Sequence, residues 1–125
     1  APTLAAELKR RFPDVEVACE PVQDSDFFER TYPAALAIGL MFLFAEAAQK
    51  TLIARVAQAL KPGGRFLFSA PIEIGDWDDV LTGRRSLSLG RHAYRNALAA
   101  AGFEQVESRQ DEGGSHYYDA IKAAT

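Results

Sequence analysis

The stretch that most constrains this chain is residues 45–71, where a helical pattern, a proline-glycine-glycine turn and an apolar strand follow one another without a gap. Leu52, Val56 and Leu60 recur every four residues with Ile53 and Ala57 beside them, giving an apolar stripe about a third of the helix circumference wide. A stripe of that width needs a flat apolar surface to lie on. Pro62 cannot extend a helix, Gly63 or Gly64 supplies left-handed backbone at its end, and residues 65–70 read as a strand. Together they form one turn of an α/β wind.

The flanking segments extend that wind. Leu4, Leu8 and Phe12 at four-residue spacing, behind Pro2, predict a helix with one buried face. Pro13 and Asp14 end it, and Val15, Val17 and Cys19 alternate with Glu16, Ala18 and Glu20 as in a half-exposed edge strand. Residues 23–30 are polar and read as a loop or short helix. Residues 34–40 are continuously apolar, which predicts a central strand covered on both faces. Residues 72–89 are long, mixed and without a sustained period, the pattern of a functional or mobile loop. Ser88 is placed to cap a helix on which Tyr94, Leu98 and Ala101 share a face and which Gly102 stops. Residues 103–109 and 116–122 then read as two strands around a turn at residues 111–115. Alternating helices and apolar strands predict a mostly parallel sheet with helices on its faces, closed by an antiparallel pair.

Length and charge narrow the classes. At 125 residues and 48% hydrophobic content, one core and a single domain over residues 1–125 are expected. The net charge of -3 offers no broad attraction for phosphate backbones or anionic lipid, so nucleic acid and membranes are not expected partners. Cys19 is the only cysteine, which excludes an intrachain disulfide and suits an intracellular chain. No run has membrane length and no charged-then-apolar leader opens the sequence, so a soluble, cytoplasmic protein is expected.

Four segments in order, TYPAALAIGLMFLF, LKPGGRFLFSAP, SLGRHAYRNALAAAGF and DEGGSHYYDAIKA, resemble the later two thirds of a class I S-adenosylmethionine-dependent methyltransferase. The LKPGG turn by itself is only a helix stop before a strand, and it is the succession of segments that makes the likeness. The resemblance implies an α/β fold, a truncated Rossmann-like methyltransferase sheet, mostly parallel with an antiparallel C-terminal hairpin. Ahead of the helix resembling residues 2–12, family members have a strand, a glycine-rich loop, a helix and a second strand ending in an acidic residue. None of these is found in the 125 residues. That loop meets the methionine end of the cofactor and the acidic residue holds its ribose. S-adenosylmethionine is thus the implied cofactor, and its binding by this chain alone is expected to be weak or absent.

Site residues follow from the same resemblance. Glu20 matches the family position that meets the adenine, with exposed strand-end carboxylate as the alternative, and Asp24 and Ser25 are looser matches. Gly39 and Leu40, at the carboxyl end of the central strand, match the segment beneath the methyl donor; Gly39 could instead make room for a packed helix. Trp77, Asp78, Thr82, Arg84 and Ser86 fall in the long connection, which in the family lies over the acceptor pocket. Trp77 would wall that pocket and Arg84 clamp an anion, or the segment is a solvated loop pinned by one buried tryptophan. His116 is a further pocket residue, whereas Tyr117 and Tyr118 suit the core.

Methyl transfer is an in-line displacement in which positioning supplies most of the acceleration, so no nucleophile or triad is expected. Two separated histidines and one cysteine form no metal-ligand pattern. Two functions therefore compete: a methyltransferase, as a fragment or split form, acting on a small-molecule acceptor; and a non-catalytic, truncated methyltransferase-like module for binding or assembly. In the complete fold two strands stand between those resembling residues 15–19 and 34–40. Without them the apolar strand keeps an unpaired edge, and a homodimer joined there is expected.

Overall fold

The computed structural model describes residues 2–20, 22, 25–80 and 83–124. The organising unit forms as α2 (Glu46–Ala59) followed directly by β2 (Leu60–Ser69). Leu52, Ile53, Val56 and Ala57 are buried, as the stripe predicts, and Gln49 is buried with them. Gly63 takes the left-handed backbone (φ +78). The turn lies within the strand: β2 pairs with the parallel strand β1 (Tyr32–Ala37) at Tyr32↔Leu60 and then at Ala34↔Arg65, so residues 61–64 bulge between the two.

The main sheet has the order β1-β2-β6-β5, with β5 spanning Phe103–Gln110 and β6 spanning His116–Lys122. β1 and β2 are parallel, while β6 runs antiparallel to both β2 and β5, so three of the four strands point one way. On one face the register sets Ala37 beside Phe68 and Phe68 beside Tyr118, and Phe66 beside Ala120. This face is buried together with the inward residues of α2 and with Tyr94 and Leu98 of α3 (Arg91–Ala100), forming one apolar cluster. Each large side chain sealed in it, such as Phe66, Phe68, Leu52 or Ile53, contributes about 1.5–3 kcal/mol. Lys122 Nζ donates to the Ala57 and Leu60 carbonyls (2.5 and 2.7 Å), fastening the last strand to the end of α2.

Several expectations are corrected. Residues 15–19 form no strand, and Val15 is 53% exposed. Alternation makes a strand only beside a partner, and no described strand lies alongside. α1 (Pro2–Arg11) is helical, yet none of its residues is buried, and Leu4 and Phe12 stand 71% and 53% exposed. Residues 34–40 were expected to be covered on both faces; β1 is covered on one, with Ala37 inward and Leu36 72% exposed on the other. The opposite face continues through Leu67 to the exposed Arg65, which pairs with Asp119 at 2.7 Å.

The connection at residues 72–89 is not an irregular loop. It holds the antiparallel pair β3 (Gly75–Asp78) and β4 (Arg85–Ser88), a second sheet. Arg85 reaches Asp76 (2.9 Å) and Asp78 (3.2 Å) across that pair. Ser88 does not cap α3. It ends β4, donates from Oγ to the Pro71 carbonyl (3.0 Å) and accepts the Gly90 N–H (3.2 Å). The cap position is Gly90 (φ +87), where an added Cβ would come within 2.5 Å of the Ile74 side chain. The closing hairpin forms as expected: Asp111 accepts from the Ser115 N–H (2.8 Å) and from the Tyr117 hydroxyl (2.9 Å).

Candidate functional site

Parallel strands that stop together leave their carboxyl ends open, and in α/β sheets that rim is where ligands sit. Here the chain leaves β1 through Ile38 and Gly39 into a single 3-10 turn, Met41–Leu43, and leaves β2 through Ala70 and Pro71 toward β3. The start of β6 lies at the same end because β6 is antiparallel. These segments enclose a cleft of about 480 Å³ lined by Gly39, Phe42, Ser69, Trp77, His116 and Tyr117 among others. Its size falls in the range of small-molecule sites.

One wall is aromatic. The rings of Phe42 and Trp77 stand 5.6 Å apart at 41°. The polar groups gather on the sheet side: Ser69 Oγ accepts the Gly39 N–H at 2.7 Å, which leaves the hydroxyl proton free to be donated. The Tyr117 hydroxyl donates a hydrogen bond to the Asp111 carboxylate (2.9 Å), and that bond raises the tyrosine pKa. The Asp111 carboxyl is held below its ordinary value, first by the Ser115 N–H and then by Tyr117. Beneath the cleft, Tyr118 donates to the Pro71 carbonyl (3.0 Å), and burial is the main cause that pushes its pKa up to about 12.

Of the residues singled out from sequence, Gly39, Trp77 and His116 converge on this cleft from three distant stretches. Gly39 does not make room for a helix. Nothing lies within 4 Å of where its Cβ would be, and its left-handed φ of +68 is what calls for glycine. Trp77 is half-buried on β3, so the tryptophan is neither loop-borne nor sealed in the core. Leu40 is half-buried against the apolar cluster and does not line the cleft. Arg84 lies at the far end of the β3–β4 pair, where its carbonyl accepts the Asp79 N–H (2.8 Å), and it too is off the cleft.

Glu20 and Ser25 border a separate shallow groove with Val17, Val22 and Phe27. Ser25 is engaged locally, its Oγ accepting the Phe27 N–H (3.0 Å) and its carbonyl accepting from Arg55 (3.2 Å). Asp24 and Thr82 lie outside the described residues. Sequence reasoning missed Phe42 and Ser69. Phe42 sits in the apolar run just past the central strand, and Ser69 is the one polar residue in a strand end reading FLFSAP, so both carried a readable signal. Among the described residues no group of three histidines, cysteines or acidic residues could hold a metal, and no helix is long and apolar enough to cross a membrane.

Strand order, crossover helices and the terminal antiparallel strand define an α/β Rossmann-like sheet of the methyltransferase kind. Comparison with solved structures finds that class. The chain is similar to the 1,6-didemethyltoxoflavin-N1-methyltransferase of Burkholderia thailandensis, solved with 1,6-didemethyltoxoflavin and S-adenosylhomocysteine, at 26% identity and a TM-score of 0.70 over 94% of its own length. It is similar also to CalS10, an amino pentose methyltransferase of Micromonospora echinaspora solved with S-adenosylmethionine, at 16% identity and a TM-score of 0.78 over 98% of its length. A third likeness is to the glycopeptide N-methyltransferase MtfA with S-adenosylhomocysteine, at 14% identity and a TM-score of 0.74 over 98%. The chain spans 56% of the first of these proteins and 71% and 70% of the others. No protein-family model and no curated protein matches the sequence.

Proposed function

We propose that this chain is the acceptor-side portion of an S-adenosylmethionine-dependent methyltransferase acting on a small molecule, and that the cleft holds the acceptor. The observation behind this reading is the convergence of Gly39, Trp77 and His116 on one cleft at the carboxyl rim of β1 and β2. These three solved neighbours hold the cofactor or its demethylated product. When bound, the cofactor supplies an activated methyl group. The open, side-chain-free turn at Gly39 fits a close approach of such a group to backbone. Phe42 and Trp77 favour a planar acceptor lying against their faces. The Ser69 hydroxyl orients its polar edge, and His116, half-exposed at the rim, takes up a proton when the acceptor is a hydroxyl. Glu20 and Ser25 border another groove, where the adenine end of the cofactor would lie if this chain contacts it at all.

The test is a ¹⁵N-correlation titration of the chain with S-adenosylhomocysteine and, separately, with the planar probe 8-hydroxyquinoline. Binding of the nucleoside weaker than micromolar, with shifts at Gly39, is expected; the probe moves the Trp77 indole and the His116 amide. Shifts confined to Glu20 and Ser25, with none at the cleft, would remove the reading.

A second reading is favoured by one observation. β1 pairs only with β2 among the described strands, and Leu36 and Ile38 beside its free edge are 72% and 56% exposed. On this reading the chain is a non-catalytic module that forms a homodimer through that edge. Sedimentation as a monomer at micromolar concentration, with the amides of residues 35–38 exchanging freely, would end it. A cytoplasmic setting fits the lone, exposed Cys19, and the net charge of -3 gives no reason to add nucleic acid or membrane as a partner.

A further inference from the structure

Gln49 is a polar side chain in the middle of an apolar stripe. It is wholly buried on the same face of α2 as Leu52, Ile53 and Val56, a place where an unpaired amide is costly and a leucine would be the ordinary choice. The amide is paired on every side. Its Nε2 donates to the Phe44 carbonyl and to the Leu87 carbonyl, each at 2.8 Å, and its Oε1 accepts the Tyr94 hydroxyl at 2.6 Å.

The three partners belong to three different pieces of chain. Phe44 closes the 3-10 turn that carries Phe42. Leu87 lies on β4, whose neighbour in register, Ser86, faces Trp77 on β3. Tyr94 lies on α3, in the core. One amide group thus ties together the two segments whose rings form the aromatic wall. Those segments need such a tie, because the β3–β4 pair shares no ladder with the main sheet.

We propose that Gln49 is a positioning residue for the cleft. Its two N–H bonds set the separation of Phe42 from Trp77, while its carbonyl oxygen is satisfied by the Tyr94 hydroxyl. The consequence for ligand binding rests on the reading of the cleft given above; the consequence for Trp77 does not. A planar ligand needs its wall fixed to within a fraction of an ångström, and a hydrogen-bonded amide holds that geometry where apolar packing alone would let it slide.

Trp77 is the only tryptophan in the chain, so its fluorescence and its indole N–H signal report on the wall alone. Two variants separate positioning from general loosening. Gln49→Leu keeps the apolar stripe and removes both donors to the wall. Tyr94→Phe removes one bond from the same network and leaves both donors in place. The expected result is that Gln49→Leu shifts the Trp77 emission to the red, raises its quenching by acrylamide and moves its indole signal, at unchanged far-UV circular dichroism, whereas Tyr94→Phe leaves all three at their original values.

Binding of 8-hydroxyquinoline should weaken roughly tenfold in Gln49→Leu alone. Should Gln49→Leu not fold, Gln49→Asn, which keeps the amide but shortens its reach, is read in the same way. An unmoved Trp77 in the Gln49 variant, or an equal change in Tyr94→Phe, overturns the inference. If the probe binds neither protein while Trp77 responds as expected, the positioning role stands and the assignment of the cleft falls.

Discussion

Replacing Trp77 with alanine separates a cleft wall from a core anchor, and the two roles differ in magnitude. Removing a large aromatic from a sealed core costs about 3–5 kcal/mol. Trp77 is half-buried and meets one ring, Phe42 at 5.6 Å, a contact worth about 0.5–1.5 kcal/mol beyond its area. It also stands on a two-stranded pair outside the main sheet. The expected loss for Trp77→Ala is therefore about 1–2 kcal/mol. Phe68 supplies the scale: it is wholly buried and meets Phe66, Tyr94 and Tyr118 at 5.0, 5.5 and 5.0 Å, so Phe68→Ala should cost about 3–5 kcal/mol. Urea denaturation followed by far-UV circular dichroism measures both variants without relying on the lost fluorophore. Binding of 8-hydroxyquinoline, read at the Gly39 and His116 amides, should fall about tenfold or more in Trp77→Ala. A stability loss equal to that of Phe68→Ala, with probe binding untouched, would falsify the assignment of Trp77 to the wall.

Further outcomes follow from the same geometry. Gly90→Ala combines a left-handed φ of +87 with a Cβ 2.5 Å from Ile74, so about 2 kcal/mol or more of destabilisation is expected in thermal melts, whereas Gly39→Ala meets only the backbone term of about 1–2 kcal/mol. Asp111 has a folded pKa below its ordinary 3.8, so the support it gives the β5–β6 turn is complete above that value and is lost as pH falls through the lower folded pKa. Amide signals of residues 111–115 should broaden below that point in the native protein, and Asp111→Asn should abolish the transition. Tyr118 is raised from 10.0 to about 12, so its neutral form supports the fold fully below pH 10 and that support drains away as pH rises through about 12. Alkaline unfolding should begin in that interval, and a midpoint unchanged in Tyr118→Phe would contradict the assignment.

Where the sequence was legible, the pattern and its partner both lay within the chain. α2 reads correctly because its stripe has β1 and β2 to rest on, and the closing hairpin because residues 103–109 and 116–122 pair with each other. Val15, Val17 and Cys19 alternate as cleanly, yet form no strand, because no described strand lies alongside to pair with them. The same holds for Leu4, Leu8 and Phe12: the helix forms and its face stays exposed. β3 and β4 escaped notice for a different reason. GDWD and RSLS have too few apolar residues to show a period, and what joins them is cross-strand charge, Arg85 with Asp76 and Asp78. Of the residues named through resemblance, Gly39, Trp77 and His116 line the candidate cleft. Arg84 and Leu40 lie off it, because the hairpin carries the first away and the core takes in the second. The buried Gln49 was visible as a polar residue at a stripe position, but its partners at residues 44, 87 and 94 are fixed only by the fold.

The clasp between Lys122 and the end of α2 has a chemical consequence of its own. Acylating reagents attack an amine that is free in solution, and an ammonium giving its protons to two helix-end carbonyls is withheld from them. The chain has four lysines; Lys9, Lys50 and Lys61 are exposed, and Lys122 is half-buried. Brief treatment with acetic anhydride followed by peptide mass mapping therefore marks the first three and spares the fourth for as long as the last strand stays docked. Lys122 thus serves as a built-in footprint of the sheet, readable in a mixture and without any engineered label.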